Sequence, residues 1–168
     1  IGASAVAGLG AFLADEALAQ VFGEGHVPRV AGAFMPSGQA IPVDGGYRVT
    51  GRWPFGTGCQ ESSWMLGSFQ ILDGDQPRRS PDGTSAYWRG VFPRAEAQVV
   101  EGSWDVSGLR GTGSFDWTVE DVFLPERRTM VHAGIPLDNQ WSRWSGISYA
   151  LPAQAWVGPH HSAVITGI

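Results

Sequence analysis

One pattern repeats between residues 30 and 126: short apolar runs are separated by Gly, Pro and Asp. About seven such runs can be counted, and runs of this kind at close spacing are typical of the strands of a β-sandwich or barrel. The 24 glycines and 11 prolines among 168 residues also fit a turn-rich β protein better than a helical bundle. The sequence therefore predicts a mainly β domain.

The strands of this domain can be placed approximately from the turn residues between them. The first strand is expected to end at Pro36-Ser37-Gly38, and turn residues mark the ends of the others in the same way. The expected strands are residues 30–35, 47–53, 64–72, 87–92, 97–100, 104–106 and 115–124.

The two ends of the chain differ from this β region. Residues 3–22 are rich in Ala and Leu at near-helical spacing, which predicts a helix. Residues 130–144 are interpreted as a linker, and residues 147–168 predict the start of another helix. Because the chain begins without Met and stops inside this helical pattern, we expect it to be a fragment.

The segment 44–58 combines a turn, a strand and a glycine-rich loop. An Asp-Gly-Gly turn signal precedes alternating apolar and polar residues, and Trp53, Phe55 and Gly-Thr-Gly follow. Glycines in such a loop let the backbone approach a ligand closely. The segment is either a plain hairpin with Trp53 and Phe55 in the core, or the wall of a site for a flat aromatic cofactor. The residues alone favour the hairpin.

Charge and composition exclude several functions. The net charge of −5 and the absence of a Lys/Arg cluster argue against nucleic acid as a partner. No apolar run approaches the roughly 18 residues of a membrane span. The single cysteine, Cys59, allows no internal disulfide, fits a reducing cytoplasmic setting, and is expected to be a buried inert thiol.

A metal site is not expected. His160 and His161 are adjacent, so on a helix their side chains would point about 100° apart, and His26 and His132 lie in other segments. No Gly-x-Gly-x-x-Gly loop follows a strand and opens a helix, which excludes a Rossmann site.

Two polar segments have an expected structural role. Residues 108–114 are interpreted as a tight turn pinned by Arg110 and by the hydroxyl groups of Thr112 and Ser114. The acidic residues that follow alternate along a strand, so they are expected on a solvated face and not as an acid/base pair. They are Asp116, Glu120 and Asp121.

The order of three motifs is more specific than any one of them. Residues 45–59, 104–114 and 119–125 together resemble the middle domain of the acyl-CoA dehydrogenase superfamily. More narrowly, they resemble the branch of two-component flavin-dependent monooxygenases that hydroxylate phenols and related aromatics. The resemblance implies a middle β-barrel domain at 28–128. The end of an N-terminal helical domain would lie at 1–27, and a linker and the start of a C-terminal helical bundle at 129–168.

The resemblance also implies a cofactor site. Phe55 would pack along the isoalloxazine ring of a flavin, and the backbone and hydroxyl around Gly56 and Thr57 would address flavin N5. Thr57 would support the C4a-hydroperoxide in a dry pocket. Trp53, in place of the family's lysine, would suit an apolar wall, and Ser37 would approach the flavin edge.

Two departures from the dehydrogenase pattern bear on the reaction. The dehydrogenases' Thr-Glu-Pro-x-x-Gly-Ser-Asp loop is replaced here by residues 32–38, which lack the Glu and the Ser-Asp. This favours the hydroxylase branch. The catalytic base of either branch, a glutamate or a histidine, would lie beyond Ile168, so no base can be named.

The function implied is an oxygenase component that hydroxylates a small aromatic substrate. A separate flavin reductase would supply reduced FMN or FAD. One alternative is an FAD-dependent acyl-CoA dehydrogenase carrying out α,β-dehydrogenation, and another is a non-catalytic β module that binds ligands through exposed tryptophans. The full-length protein would be a cytoplasmic homo-tetramer, and the fragment alone would be inactive.

Overall fold

The structure is a computed structural model that describes residues 13–23, 28–80, 83 and 85–131. The predicted C-terminal helix, most of the predicted linker and the first part of the predicted N-terminal helix lie outside the described residues. So do all four histidines.

The described residues form one short helix and one sheet. The helix α1 is Asp15–Phe22, the final part of the helix predicted at 3–22. The strands are β1 (Val30–Val43), β2 (Gly46–Trp53), β3 (Trp64–Asp73), β4 (Gln76–Pro77), β5 (Trp88–Pro93), β6 (Gln98–Val99), β7 (Trp117–Pro125) and β8 (Thr129–Val131). Their order across the sheet is β6-β7-β2-β1-β3-β5-β8, with β4 added to β3. The β1–β3 pair is parallel and the other pairs are antiparallel.

The prediction of a closed barrel is wrong for the described residues, because the sheet is open. Closure requires every strand to have a neighbour on both sides. In the described part of the chain, β6 pairs only with β7 and β8 pairs only with β5. Both edge strands have just two or three residues, so neither offers a ladder that could close the sheet.

Strand β1 is much longer than predicted, because Pro36 does not end it. Its pairing with β3 shifts from Ala33↔Gly67 to Gly38↔Phe69, so residues 34–37 bulge out of the ladder. A proline has no N–H to donate, and a bulge is a place where none is needed. Strand β1 therefore continues past Pro36 and forms the hairpin with β2.

Strand β8 was not predicted at all. Two of its three residues, Met130 and Val131, fall in the predicted linker 130–144, and the strand pairs with Trp88, Arg89 and Gly90 of β5. A segment this short shows no alternation of its own. Residues 129–131 form a strand because they pair with β5, which is distant in sequence.

The core is organised around Trp53, the last residue of β2. Its side chain is fully buried, and its ring stacks on Trp117 with a centroid distance of 4.3 Å and an interplanar angle of 19°. Its Nε1 donates a hydrogen bond of 2.8 Å to the carbonyl of Ser68. A Cβ added at Gly38 or Gly51 would lie 2.5 Å from the indole, so these glycines leave the space that the ring fills.

A second buried cluster attaches α1 to the sheet. Ala17 and Val21 of the helix pack with Leu66, Val91 and Met130 of strands β3, β5 and β8. Among the described residues, α1 is too short to cross a membrane, and no other α-helix is present that could do so.

Candidate functional site

Two loops that are far apart in sequence meet at one end of the sheet. Strands β2 and β7 pair up to Trp53↔Trp117, so the chain that leaves β2 lies beside the chain that enters β7. The Gly56 N–H donates to the Phe115 carbonyl at 2.9 Å, and the Gly58 N–H donates to the Thr112 carbonyl at 3.0 Å. These contacts therefore bring together two of the three sequence motifs, residues 45–59 and 104–114. We call residues 54–58 and 109–115 the paired loops.

Phe55 leaves the core immediately after Trp53. Its φ is +61° and its side chain is 65% exposed, and its ring contacts Trp104 edge-on at a centroid distance of 6.2 Å. A bulky residue in the left-handed region is strained by on the order of 1 kcal/mol. The hairpin interpretation is correct for Trp53, which is core, and wrong for Phe55, which faces outward.

Three hydroxyl groups connect the paired loops. The Thr57 Oγ1 lies 2.8 Å from the Ser114 Oγ, which lies 2.8 Å from the Thr112 Oγ1. Thr112 Oγ1 in turn donates to the Leu109 carbonyl at 2.9 Å. Ser114, in the middle of this hydroxyl chain, is buried, whereas Thr57 is exposed and Thr112 is half-buried.

The prediction that residues 108–114 form a pinned turn is confirmed. Besides the Thr112 bond, the Arg110 Nε donates to the Val106 carbonyl at 2.5 Å. The sequence did not indicate that Ser114 would contact both Thr57 and Thr112. The only available signal was the pair of hydroxyl residues at 112 and 114, flanking a glycine.

The backbone around Gly56 and Thr57 has few groups left for a ligand. The N–H groups of both residues are already donated, to the carbonyls of Phe115 and Phe55 respectively. Gly56 is buried, and a Cβ there would lie 2.8 Å from Trp117 Cδ1, so its contribution is the close packing of the loop. The Thr57 hydroxyl and the Phe55 ring are therefore the groups that face outward.

Trp53 cannot act as an apolar wall for a ligand. Burial of its whole side chain removes both ring faces from solvent. The expectation that it lines a site is wrong, and the reason is that Trp117 and the glycines of β1 to β3 enclose it. Trp53 instead packs in the core, beneath the loop that carries Phe55.

Ser37 is exposed in the bulge of β1, next to Gly38. Gly38 pairs with Gly51, so the bulge lies at the end of the β1–β2 ladder from which residues 54–58 leave. No hydrogen bond joins Ser37 to Phe55 or Thr57 among the described residues. The structure therefore places Ser37 at the same end of the sheet without bringing it into the hydroxyl chain.

A buried arginine packs on the bulge. The Arg89 guanidinium carbon lies 4.7 Å from the centroid of the Phe34 ring, a cation–π contact. Burial lowers the pKa of Arg89 to about 10, because the charged form loses solvation. The bulge that carries Ser37 is thus anchored to β5.

The acidic residues near the site are paired with arginines. Asp116 accepts hydrogen bonds from Arg52 Nε and Nη2 at 2.9 and 2.7 Å, and Asp121 lies 3.6 Å from Arg48. Both arginines are exposed. The prediction of a solvated face is confirmed for Glu120 and Asp121, which are exposed, whereas the side chain of Asp116 is only 20% exposed.

Cys59 is buried, as the sequence predicts. It is fully buried, and its Sγ lies 3.7 Å from the Gly113 carbonyl. Burial raises the pKa of the thiol, although Arg94 and nearby backbone hydrogen bonds oppose this shift. We expect an aromatic disulfide reagent to modify native Cys59 at least about 100-fold more slowly than Cys59 in urea-unfolded protein. Equal rates in the two states would contradict this burial.

Comparisons with known proteins point to one class. No protein-family model matches the chain. Over 110 residues it is 39% identical to HsaA, the oxygenase subunit of a flavin-dependent monooxygenase of Mycobacterium tuberculosis, covering 65% of this chain and 26% of HsaA. Over 120 residues it is 32% identical to the oxygenase component of an FADH2-dependent resorcinol hydroxylase of Rhizobium sp., covering 71% of this chain and 28% of that protein.

The fold leads to the same class. The crystal structure of 3-HSA hydroxylase from Rhodococcus sp. RHA1 matches with a TM-score of 0.81 and 29% identity, covering 95% of this chain and 41% of that one. The chain spans between 26% and 36% of the length of the curated relatives it matches. It is thus similar to one part of the oxygenase components of flavin-dependent monooxygenases.

Proposed function

We propose that this chain is part of the oxygenase component of a two-component flavin-dependent monooxygenase. In this proposal a separate reductase delivers reduced flavin, and the oxygenase hydroxylates a small aromatic substrate. The observation that carries the proposal is the pairing of a strained, outward-facing Phe55 with the exposed Thr57 hydroxyl on one loop. Similarity to oxygenase components over the same part of the chain supports it.

The residues of the paired loops fit a flavin. An isoalloxazine ring is flat, and its polar atoms lie on its edges, so it needs an apolar contact for its face and a hydrogen-bonding group beside its central ring. Phe55 offers the first and Thr57 the second. Ser37, at the same end of the sheet, would meet another edge, and Gly56 would keep the loop close to Trp117. When bound in its reduced form, flavin supplies the activation of oxygen.

The protein's own contribution is positioning and exclusion of water. The two backbone hydrogen bonds and the Thr57–Ser114 hydroxyl contact between the paired loops fix the positions of Phe55 and Thr57, so the site needs little rearrangement on binding. Phe55, two residues before Thr57, and Trp104 in contact with it would supply the apolar surface that excludes water. A hydrogen bond in a dry setting is stronger than the same bond in water.

We further propose that residues 28–128 are the middle domain of an acyl-CoA dehydrogenase-like architecture. Residues 1–27 would end an N-terminal helical domain, and residues 129–168 would lead into a C-terminal bundle that holds the catalytic base and the tetramer interface. The match to 3-HSA hydroxylase supports this division, because it covers 95% of this chain but only 41% of that longer protein. The free thiol of Cys59 supports a cytoplasmic location.

The experiment that tests the function uses the protein expressed from its complete coding sequence. It is mixed with chemically reduced FAD or FMN, oxygen and a panel of phenols, and products are followed by mass spectrometry. We expect hydroxylated product from at least one phenol, with no need for a bound oxidised flavin. Reduction of bound FAD by an acyl-CoA without a reductase, and no hydroxylation, would overturn the proposal.

A further inference from the structure

No strand ladder fixes the bulge of β1, which consists of residues 34–37. The pairing of β1 with β3 is interrupted between Ala33 and Gly38. The pairing of β1 with β2 begins only at Gly38. Strand pairing therefore does not set the position of the bulge, which depends instead on side-chain contacts to the rest of the sheet.

Phe34 anchors the bulge through two contacts. The centroid of its ring lies 4.7 Å from the guanidinium carbon of Arg89. The ring also packs, partly buried, against the cluster that attaches α1 to the sheet. A cation–π contact is stronger when the cation is shielded from water, and Arg89 is only 5% exposed. Phe34 is therefore held in place at the start of the bulge.

Arg89 provides a fixed point for this contact. It lies on β5, between Ser68 of β3 and Met130 of β8, so its backbone belongs to an inner strand. Arginines at a protein surface usually keep the charged head in water, whereas the side chain of Arg89 is buried. The contact with Phe34 thus ties the bulge to a paired, inner part of the sheet.

The residue after Phe34 is directed to the surface at the candidate site. Met35 is 65% exposed. The bulge ends at Gly38, which pairs with Gly51 near the end of β2, so the bulge lies at the end of the sheet from which the loop with Phe55 leaves. Phe55 and Leu109, both on the paired loops, are exposed apolar residues as well. Met35 therefore adds a flexible apolar side chain at this end of the sheet.

We propose that Met35 contacts the ring of the aromatic substrate, and that Phe34 and Arg89 are positioning residues that hold it there. This inference rests on the proposed function and adds a determinant of substrate choice. In the proposed site, Phe55 and Thr57 contact the flavin. A thioether offers no strong hydrogen bond to a flavin edge, but it packs well against an aromatic ring and adapts to its shape.

The test compares two substrates, with the protein expressed from its complete coding sequence and reduced flavin in excess. They are the phenol that wild type hydroxylates fastest and the same phenol with an added propyl group. The measured quantity is the ratio of kcat/KM for the larger substrate to kcat/KM for the smaller one. Both substrates meet the same complex of enzyme and flavin, so a loss of folded protein or of bound flavin cancels in this ratio. A merely structural role would therefore leave the ratio unchanged.

Met35→Ala is expected to raise this ratio about tenfold, because the smaller side chain leaves room for the propyl group. Phe34→Leu and Arg89→Met each remove the cation–π contact and keep an apolar side chain. Each should raise the ratio about three- to fivefold, because Met35 is no longer held in place. Thermal unfolding checks that each variant is folded, and Phe34→Leu carries the test of positioning if Arg89→Met is not.

A double variant shows whether Phe34 acts through Met35. In the Met35→Ala background no methionine side chain is left to misplace, so adding Phe34→Leu should change the ratio by less than about twofold. Arg128→Met is the matched control. It removes a guanidinium that lies 5.5 Å from the ring of Trp64, which packs against the same cluster outside the bulge, and it should leave the ratio unchanged.

Negative results separate the inference from the proposed function. If wild type hydroxylates a phenol but Met35→Ala, Phe34→Leu or a folded Arg89→Met keeps the ratio within about twofold, the inference is wrong and the proposed function stands. Effects of Met35→Ala and Phe34→Leu that multiply in the double variant would also overturn the inference. If the wild-type protein hydroxylates no phenol, the proposed function is overturned, and the inference with it.

Discussion

Replacing Thr57 with valine is expected to uncouple flavin oxidation from hydroxylation. Valine has the shape of threonine but no hydroxyl, so the outward-facing hydrogen-bonding group of the paired loops is lost while Phe55 and Gly56 stay in place. We expect hydroxylated product per reduced flavin consumed to fall about five- to tenfold, with hydrogen peroxide rising to match. The measurement is the yield of both products in single-turnover mixing with oxygen.

The control for this variant is Thr57→Ser, which keeps the hydroxyl and loses only a methyl group. It should retain most of the coupling. A Thr57→Val protein with wild-type yield of hydroxylated product would show that this hydroxyl does not serve the reaction, and the site would have to be sought elsewhere.

The largest loss of stability is expected from Trp53→Ala. The indole fills the space left by Gly38 and Gly51 and stacks on Trp117, so its removal leaves a large cavity and an unpaired Ser68 carbonyl. We expect the free energy of unfolding to fall by about 3–5 kcal/mol. Urea unfolding of the protein from its complete coding sequence measures this change.

Trp104→Ala is the matched control for this second prediction. Trp104 is only partly buried, and its buried Nε1 has no hydrogen-bond partner among the described residues. Its removal deletes less apolar contact and also removes an unsatisfied donor, so we expect a loss of about 1–2 kcal/mol. Equal losses for the two variants would contradict the central role of Trp53 in the core.

The divergence of Trp53 and Phe55 shows where sequence pattern stops being sufficient. Alternation predicts the strand Gly46–Trp53 well, because its turn and its apolar residues are local signals. The same alternation places residues 53 and 55 on one face. The strand ends at Trp53, and the positive φ of Phe55 turns its side chain outward. Nothing in the local composition distinguishes a strand that continues from one that stops.

Long-range pairing explains the other differences in the fold. The parallel β1–β3 ladder absorbs Pro36 in a bulge, and β8 becomes a strand through its pairing with β5. The short strands at the two ends of the sheet leave it open within the described residues, where a closed barrel was predicted. Each of these features depends on which distant segments pair with each other, and the sequence pattern does not show this.

The hydrogen bonds between the residues of the candidate site could not be predicted from the sequence. Thr57 could be singled out by resemblance, yet its partner Ser114 lies 57 residues away and meets it only because β2 pairs with β7.

The most direct test of the central claim is a crystal structure of the protein from its complete coding sequence with reduced flavin bound. We predict the Thr57 Oγ1 within about 3 Å of flavin N5, and the Phe55 ring against the isoalloxazine. A flavin bound away from residues 55–57 would contradict the assignment of this loop as the flavin wall.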